Sequence, residues 1–150
     1  MQRYKITIEY EGSGYSGMQR QQEGVPSIQE RIETALAKLD EREVTLYVAG
    51  RTDAGVHATG QVAHFDLMKP RDVGTIVRAL NYHLIEERIS ILQAEKVDAE
   101  FHARFDARFR RYIYRILNRP AKPSIEYGQV WHVPQELDIE AMNRAASYLI

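Results

Sequence analysis

Residues 3–10 (RYKITIEY) place Tyr4, Ile6, Ile8 and Tyr10 at alternate positions, with polar or charged residues between them. A period of two predicts a half-buried strand. A glycine-rich stretch follows (Gly12, Gly14, Gly17, Gly24), and Pro26-Ser27 opens a helix. Ser27 and Glu30 have capping-box spacing, and Ile28, Ile32, Leu36 and Leu39 recur along one helical face. Val44, Leu46 and Val48 alternate and predict a second strand. Residues 50–60, with Gly50, Gly55 and Gly60, read as a loop, and residues 61–67 as a third strand.

Beyond Pro70, the spacing of Val73, Ile76, Val77, Leu80 and Leu84 predicts a second helix. Residues 88–97 return to strand character. Residues 109–117 read as a further strand with Tyr112, Tyr114 and Ile116 on one face. The stretch 118–128, with Pro120, Pro123 and Gly128, is a loop; a short strand lies around Val130–Val133. Asp138 then caps a last helix whose stripe is Ile139, Met142, Ala146 and Leu149. The order β-α-β-β-α-β-β, then strand and helix, predicts an α+β fold. We expect a ferredoxin-like antiparallel or mixed sheet with helices on one face.

Composition adds limits. The 150 residues are 44% hydrophobic and 27% charged, as in an ordinary folded domain. No run of about 18 apolar residues is present, so no transmembrane helix is expected. Met1–Tyr10 lacks a signal-peptide core. Cysteine is absent, which excludes disulfides, thiol nucleophiles and Cys-ligated zinc and fits a reducing compartment. The final helix carries no Gly, Asn or Pro stop, so we expect these residues to be part of a longer protein.

The formal net charge of -1 conceals an uneven distribution. Residues 84–100 hold five acids against two bases, whereas 101–122 hold seven bases against Asp106 alone. Phe101, Phe105, Phe109, Tyr112 and Tyr114 lie among those bases. Cations neutralise phosphates and aromatic faces stack on exposed bases, although a solvated basic face over core phenylalanines would give the same composition.

Gly12-Ser13-Gly14-Tyr15-Ser16-Gly17 matches G-x-G-x-x-G, but the helix waits until Ser27, so no helix N-terminus is offered to a pyrophosphate. A glycine-rich loop passing close to a ligand is the better reading. His57, His64, His83, His102 and His132 lack helical metal-site spacing, and no Ser stands in G-x-S-x-G. No metal and no cofactor are expected.

Residues 50–65 (GRTDAGVHATGQVAHF) are the informative stretch. Asp53 lies in a loop between strands, flanked by glycines. Arg51, two residues away, projects to the same side if the segment is extended, and would keep the carboxylate ionised and oriented. Such an Asp suits nucleophilic or general-base work, though Asp also commonly holds turns.

GRTDAGVHA, continuing through GQVAHF, resembles the catalytic motif of tRNA pseudouridine synthases of the A family, which modify the anticodon stem-loop. YEGSGYSGMQRQ, SIQE, FHARF and RRYIYRI are similar to other family segments in the same order, so the resemblance spans essentially all 150 residues. Met18 departs from an often aromatic family position. The resemblance implies isomerisation of uridine at tRNA positions 38, 39 and 40, with Asp53 attacking C1′ or abstracting the C2′ proton. It implies that Arg51 pairs with Asp53 and assists base extrusion, and that Tyr112 stacks on the target base. Gly50, Thr52, His57 and Gln61 are expected near the substrate, with Arg20, Arg110, Arg111 and Arg115 as phosphate contacts. It further implies a tRNA partner, a cytoplasmic homodimer and no membrane. Residues 1–150 would be the N-terminal α/β half. A second half, absent from this sequence, would supply the other cleft wall, so the 150 residues alone are expected to be weak or inactive. A non-catalytic RNA-binding module and a carboxylate nucleosidase remain as alternatives. The first leaves the Arg51–Asp53 loop without a reason, and the second lacks an evident second carboxylate.

Overall fold

The strand at Gln2–Tyr10 (β1) forms as its alternation predicts. Tyr4, Ile6, Ile8 and Tyr10 are all buried, while Arg3, Lys5, Thr7 and Glu9 point the other way. In the computed structural model, which describes residues 1–22 and 24–149, the chain forms two compact units, Met1–Arg110 and Arg111–Ile150.

In the first unit β1 is central. It pairs antiparallel with the strand Ala58–Leu67 (β3) on one side and with Ile89–Val97 (β4) on the other. A two-residue strand, Tyr47–Val48 (β2), pairs with the far edge of β3, giving the order β2-β3-β1-β4. Tyr4 stands opposite Phe65, with ring centroids 5.8 Å apart, and Ile6 stands opposite Ala63. The helices Ile28–Asp40 (α1) and Val73–His83 (α2) complete the core with Ile28, Ile32, Leu36, Ile76 and Leu80. Ser27 caps α1 by accepting from Glu30 N–H at 3.2 Å, and Asp72 caps α2 by accepting from Thr75 N–H.

The second strand is shorter than its alternation predicts. Val44 and Leu46 are buried but outside the ladder. The Leu46 N–H donates to Glu33 Oε1 (3.0 Å), and its carbonyl accepts from Gln29 Nε2 (3.1 Å). Side chains of α1 therefore satisfy the backbone groups that a strand partner would have taken. In β4 a bulge opposite Thr7 and Ile8 leaves Leu92 as the extra residue. The core positions accordingly shift from Ile89 and Ile91 to Ala94.

The opposite sheet face is covered near β3 by residues 101–103. Arg3 and Asp66, cross-strand partners, form a two-pronged ion pair at 2.8 Å, and Arg3 Nη1 also donates to Phe101 O. Hydrogen bonding to Arg3 holds the Asp66 carboxyl below its ordinary range. His64 is buried beneath Tyr47 and His102, and its Nδ1 accepts from Ala103 N–H at 3.1 Å. Burial first, and then the Arg3 and His102 charges, push the His64 pKa down to about 4.

In the second unit, Ile116–Asn118 (β5) and Trp131–Val133 (β6) form a parallel pair, and Asp138 caps the helix Ile139–Ala146 (α3). The strand expected at 109–117 is reduced to its last residues. No strand among the described residues pairs with 109–114, so Tyr112 and Tyr114 have no sheet face to bury and are exposed. The α3 stripe likewise stays open at Ile139 and Met142. No described helix is long and apolar enough to cross a membrane.

Candidate active site

Residues 49–57 join β2 to β3 and carry Asp53. Their backbone is fixed at several points. At the entry, Ala49 N–H donates to Val62 O (2.8 Å), and the Ala49 carbonyl accepts two bonds from Arg110, from Nε at 3.1 Å and Nη2 at 2.7 Å. The next carbonyl, of Gly50, accepts from Gln61 Nε2 at 2.7 Å. In the middle, Met18 N–H donates to Thr52 O (2.9 Å), and the Thr52 and Tyr10 hydroxyls share a bond of 2.7 Å. A turn closed by Val56 N–H to Asp53 O follows, with Gly55 at a φ of 79°. At the exit, His57 Nδ1 accepts from Gly12 N–H at 2.9 Å.

The glycine-rich stretch is thus a brace for this loop. A β-carbon on Gly12 would lie 2.1 Å from the Val56 carbonyl oxygen, closer than any side chain permits. Gly12–Gly14 forms a single 3-10 turn and α1 begins only at Ile28, so the geometry is not that of a dinucleotide fingerprint. Met18 is fully buried, and its carbonyl accepts from Gln29 N–H, tying the brace to the first turn of α1. Glu11 anchors the other end. Hydrogen bonds from Ser13 and from Arg88 draw its carboxyl down to about 2, and its Oε1 stands 3.3 Å from His57 Nδ1.

Asp53 is exposed, and its carboxylate makes no hydrogen bond or ion pair among the described residues. The expected Arg51–Asp53 pair is not formed. Both side chains stand in water, where an ion pair gains little. Chemically, the arrangement is an open carboxylate on a fixed backbone. It can attack an electrophilic carbon or take a proton from a substrate that approaches from solvent. Among the described residues, no group of three or more His, Asp or Glu is placed to hold a metal ion.

Gly50, Thr52, His57 and Gln61 are all drawn into the loop's own bonding. Of the expected phosphate contacts, Arg20 pairs with the buried Glu33 at 2.8 Å, Arg110 bonds backbone carbonyls, and Arg115 donates to the Glu126 carboxylate. Arg111 makes no hydrogen bond or ion pair among the described residues. In the basic aromatic segment Phe101 is half-buried, whereas Phe105, Phe109 and Tyr112 are exposed at 77%, 79% and 64%. Tyr112, Arg111 and Arg115 belong to the second unit. Tyr10, Glu11 and Met18 support the loop without carrying a motif of their own for that role. The only signal in the sequence is the density of glycines beside them.

A family model described as tRNA pseudouridine synthase matches residues 6–106. The chain is 54% identical over 147 residues to a tRNA pseudouridine synthase A of Ehrlichia canis, covering 98% of this chain and 60% of that protein. The protein of the same name from Wolbachia pipientis is 53% identical over 148 residues, covering 99% of this chain and 60% of its own length. That of Caulobacter vibrioides is 51% identical over 150 residues, again with 60% of its length covered. The chain therefore spans about 60% of the length of the curated relatives it matches.

Proposed function

The chain belongs to the tRNA pseudouridine synthase family, and on that footing we propose that it isomerises uridine to pseudouridine in the anticodon stem-loop of tRNA. The observation that carries this reading is the Asp53 carboxylate, open to solvent on a loop whose backbone is held at entry, middle and exit. The reaction breaks the uridine N1–C1′ bond, turns the detached uracil and joins C5 to C1′. C5 gives up its proton and N1 gains one. Asp53 either bonds C1′ and is later displaced by C5, or removes the C2′ proton and later returns it. Both routes need an ionised carboxylate that substrate can reach and that does not move as the base turns.

Arg51 is assigned by the resemblance to pair with Asp53 and to help draw the nucleotide out of the stem, an extrusion that costs a few kcal/mol, and its exposed side chain is compatible with that role. Tyr112 is assigned the target base by the resemblance of RRYIY, and its exposed ring suits stacking. The exposed aromatics among the 101–122 arginines support RNA as the partner. The βαββαβ order with sheet order β2-β3-β1-β4 supports a ferredoxin-like fold for the first unit. We further read residues 1–150 as the Asp53-bearing N-terminal half of a cytoplasmic homodimeric enzyme, whose remaining length supplies the other cleft wall.

The test is Asp53→Asn in the full-length protein, with tRNA labelled with tritium at uridine C5. Tritium release should be abolished while tRNA binding is retained. Release at the wild-type rate would overturn the assignment, and free uracil in the wild-type reaction would identify a nucleosidase instead.

A further inference from the structure

Arg110 closes the first unit, and among the described residues all of its hydrogen bonds run to backbone carbonyls. Nε and Nη2 both donate to Ala49 O, and Nη2 also donates to Arg104 O at 3.1 Å. No carboxylate lies within ion-pair distance of it among the described residues. A guanidinium commonly meets carboxylates or phosphates with its planar fork. Here the fork is turned onto the chain four residues before Asp53. The guanidinium lies directly over this peptide: a β-carbon on Gly50 would stand 3.4 Å from Arg110 Nε, an ordinary van der Waals contact. The very next carbonyl, of Gly50, is taken by Gln61. Two successive carbonyls at the loop entry are therefore each held by a side chain from another segment.

We infer that Arg110 is a positioning residue for Asp53, acting through the Ala49 carbonyl, and not a phosphate contact. The inference rests on the reading of Asp53 as the reacting group. Its energetic reason is the steepness of positioning: a misplacement of about 1 Å at a reacting group can cost roughly a hundred-fold in rate. The Arg104 carbonyl, on the same guanidinium, links the loop entry to the FHARF turn, whose Ala103 N–H is held by His64. The loop carrying Asp53 is thereby referred to the rigid sheet. Arg111, adjacent in sequence and with no hydrogen-bond or ion-pair partner among the described residues, is left as the arginine of this pair that can meet RNA.

The experiment uses the full-length protein and compares Arg110→Ala, Arg110→Lys and Arg111→Ala. Three quantities are read: single-turnover tritium release at saturating tRNA, tRNA Kd as a function of salt, and amide exchange at Ala49 and Met18. Both of these amides are hydrogen-bonded at the loop. Arg110→Ala and Arg110→Lys should each lower the rate about ten-fold or more, speed exchange at both amides, and leave Kd and its salt slope unchanged. Lysine keeps the charge but cannot reproduce the planar fork. Arg111→Ala should instead weaken Kd and reduce the salt slope by about one, without faster exchange at either amide. Gln61→Met, which frees the neighbouring carbonyl, should repeat the Arg110 pattern and combine with it non-additively. The inference is overturned if Arg110→Lys behaves as wild type while Arg110→Ala lowers the salt slope. It is also overturned if neither variant alters amide exchange. Should Asp53→Asn retain full activity while Arg110→Ala still loosens the loop, the Asp53 reading fails and the loop contact stands.

Discussion

Gly17 and Thr52 approach so closely that a β-carbon on Gly17 would lie 2.8 Å from the Thr52 carbonyl oxygen. The same carbonyl accepts the Met18 N–H, so the contact and the hydrogen bond hold one peptide from two directions. Gly17 also has a φ of 100°, in the region that side chains disfavour. Gly17→Ala therefore brings two penalties, a strained backbone and a displaced loop peptide, and should cost about 2 kcal/mol of stability. Because the displaced peptide precedes Asp53, tritium release from labelled tRNA should fall as well. Gly24→Ala is the comparison: its φ is 85°, but nothing lies within 4 Å of the added carbon. It should lose about 1 kcal/mol and keep its activity. Equal activities for the two variants would show that Gly17 does not support the loop.

His64 supplies a pH dependence with a definite sign. Its folded pKa of about 4 lies below the ordinary value near 6.5, because burial disfavours the charged ring. Between these values the unfolded chain binds a proton that the folded chain refuses, so stability falls as pH drops from 6.5 and levels off for this group below 4. His64→Gln, which keeps a hydrogen-bond acceptor for Ala103 N–H, should remove at least half of the stability difference between pH 7 and pH 5. Urea midpoints at the two pH values measure it. The Asp66 and Glu11 carboxyls, both held below their ordinary range, lose their contributions only as pH falls through and below the ordinary carboxylate values, beneath the pH 7 to pH 5 comparison. An undiminished drop in the variant would assign the dependence elsewhere.

The elements that were legible in the sequence are those whose own pattern determines them. Tyr4, Ile6, Ile8 and Tyr10 alternate and are buried together; Ser27 and Asp138 cap the helices at the positions their spacing indicates. Asp53 was legible as a loop carboxylate, and the resemblance of GRTDAGVHA gave it a role. What was not legible depends on partners distant in the chain. Val44 and Leu46 alternate like a strand, yet the carboxylate of Glu33 takes the Leu46 amide. Tyr112 and Tyr114 alternate as well, but alternation forms no strand without a neighbour to pair with. The arginines were hardest to read, because composition reports their charge and not their acceptors. Arg20 and Arg110, both expected on phosphate, face a glutamate and two carbonyls.

Arg20 allows that distinction to be measured. Its Nη1 lies 2.8 Å from Glu33 Oε2, while Glu33 Oε1 accepts from Leu46 N–H and from Gln29 Nε2. The carboxylate is buried and the guanidinium is half-exposed, so the pair lies between a surface salt bridge and an interior one. Solvent screening on the arginine side limits its contribution, and Arg20→Met should lose only about 1 kcal/mol. The loss should include loosening around Leu46, because Glu33 must then balance its charge with two neutral donors. Binding of tRNA should keep its wild-type salt slope, since a phosphate contact is not what was removed. If the slope instead drops by about one, as expected for Arg111→Ala, Arg20 leaves Glu33 for RNA in the complex and the structural assignment of this ion pair is wrong.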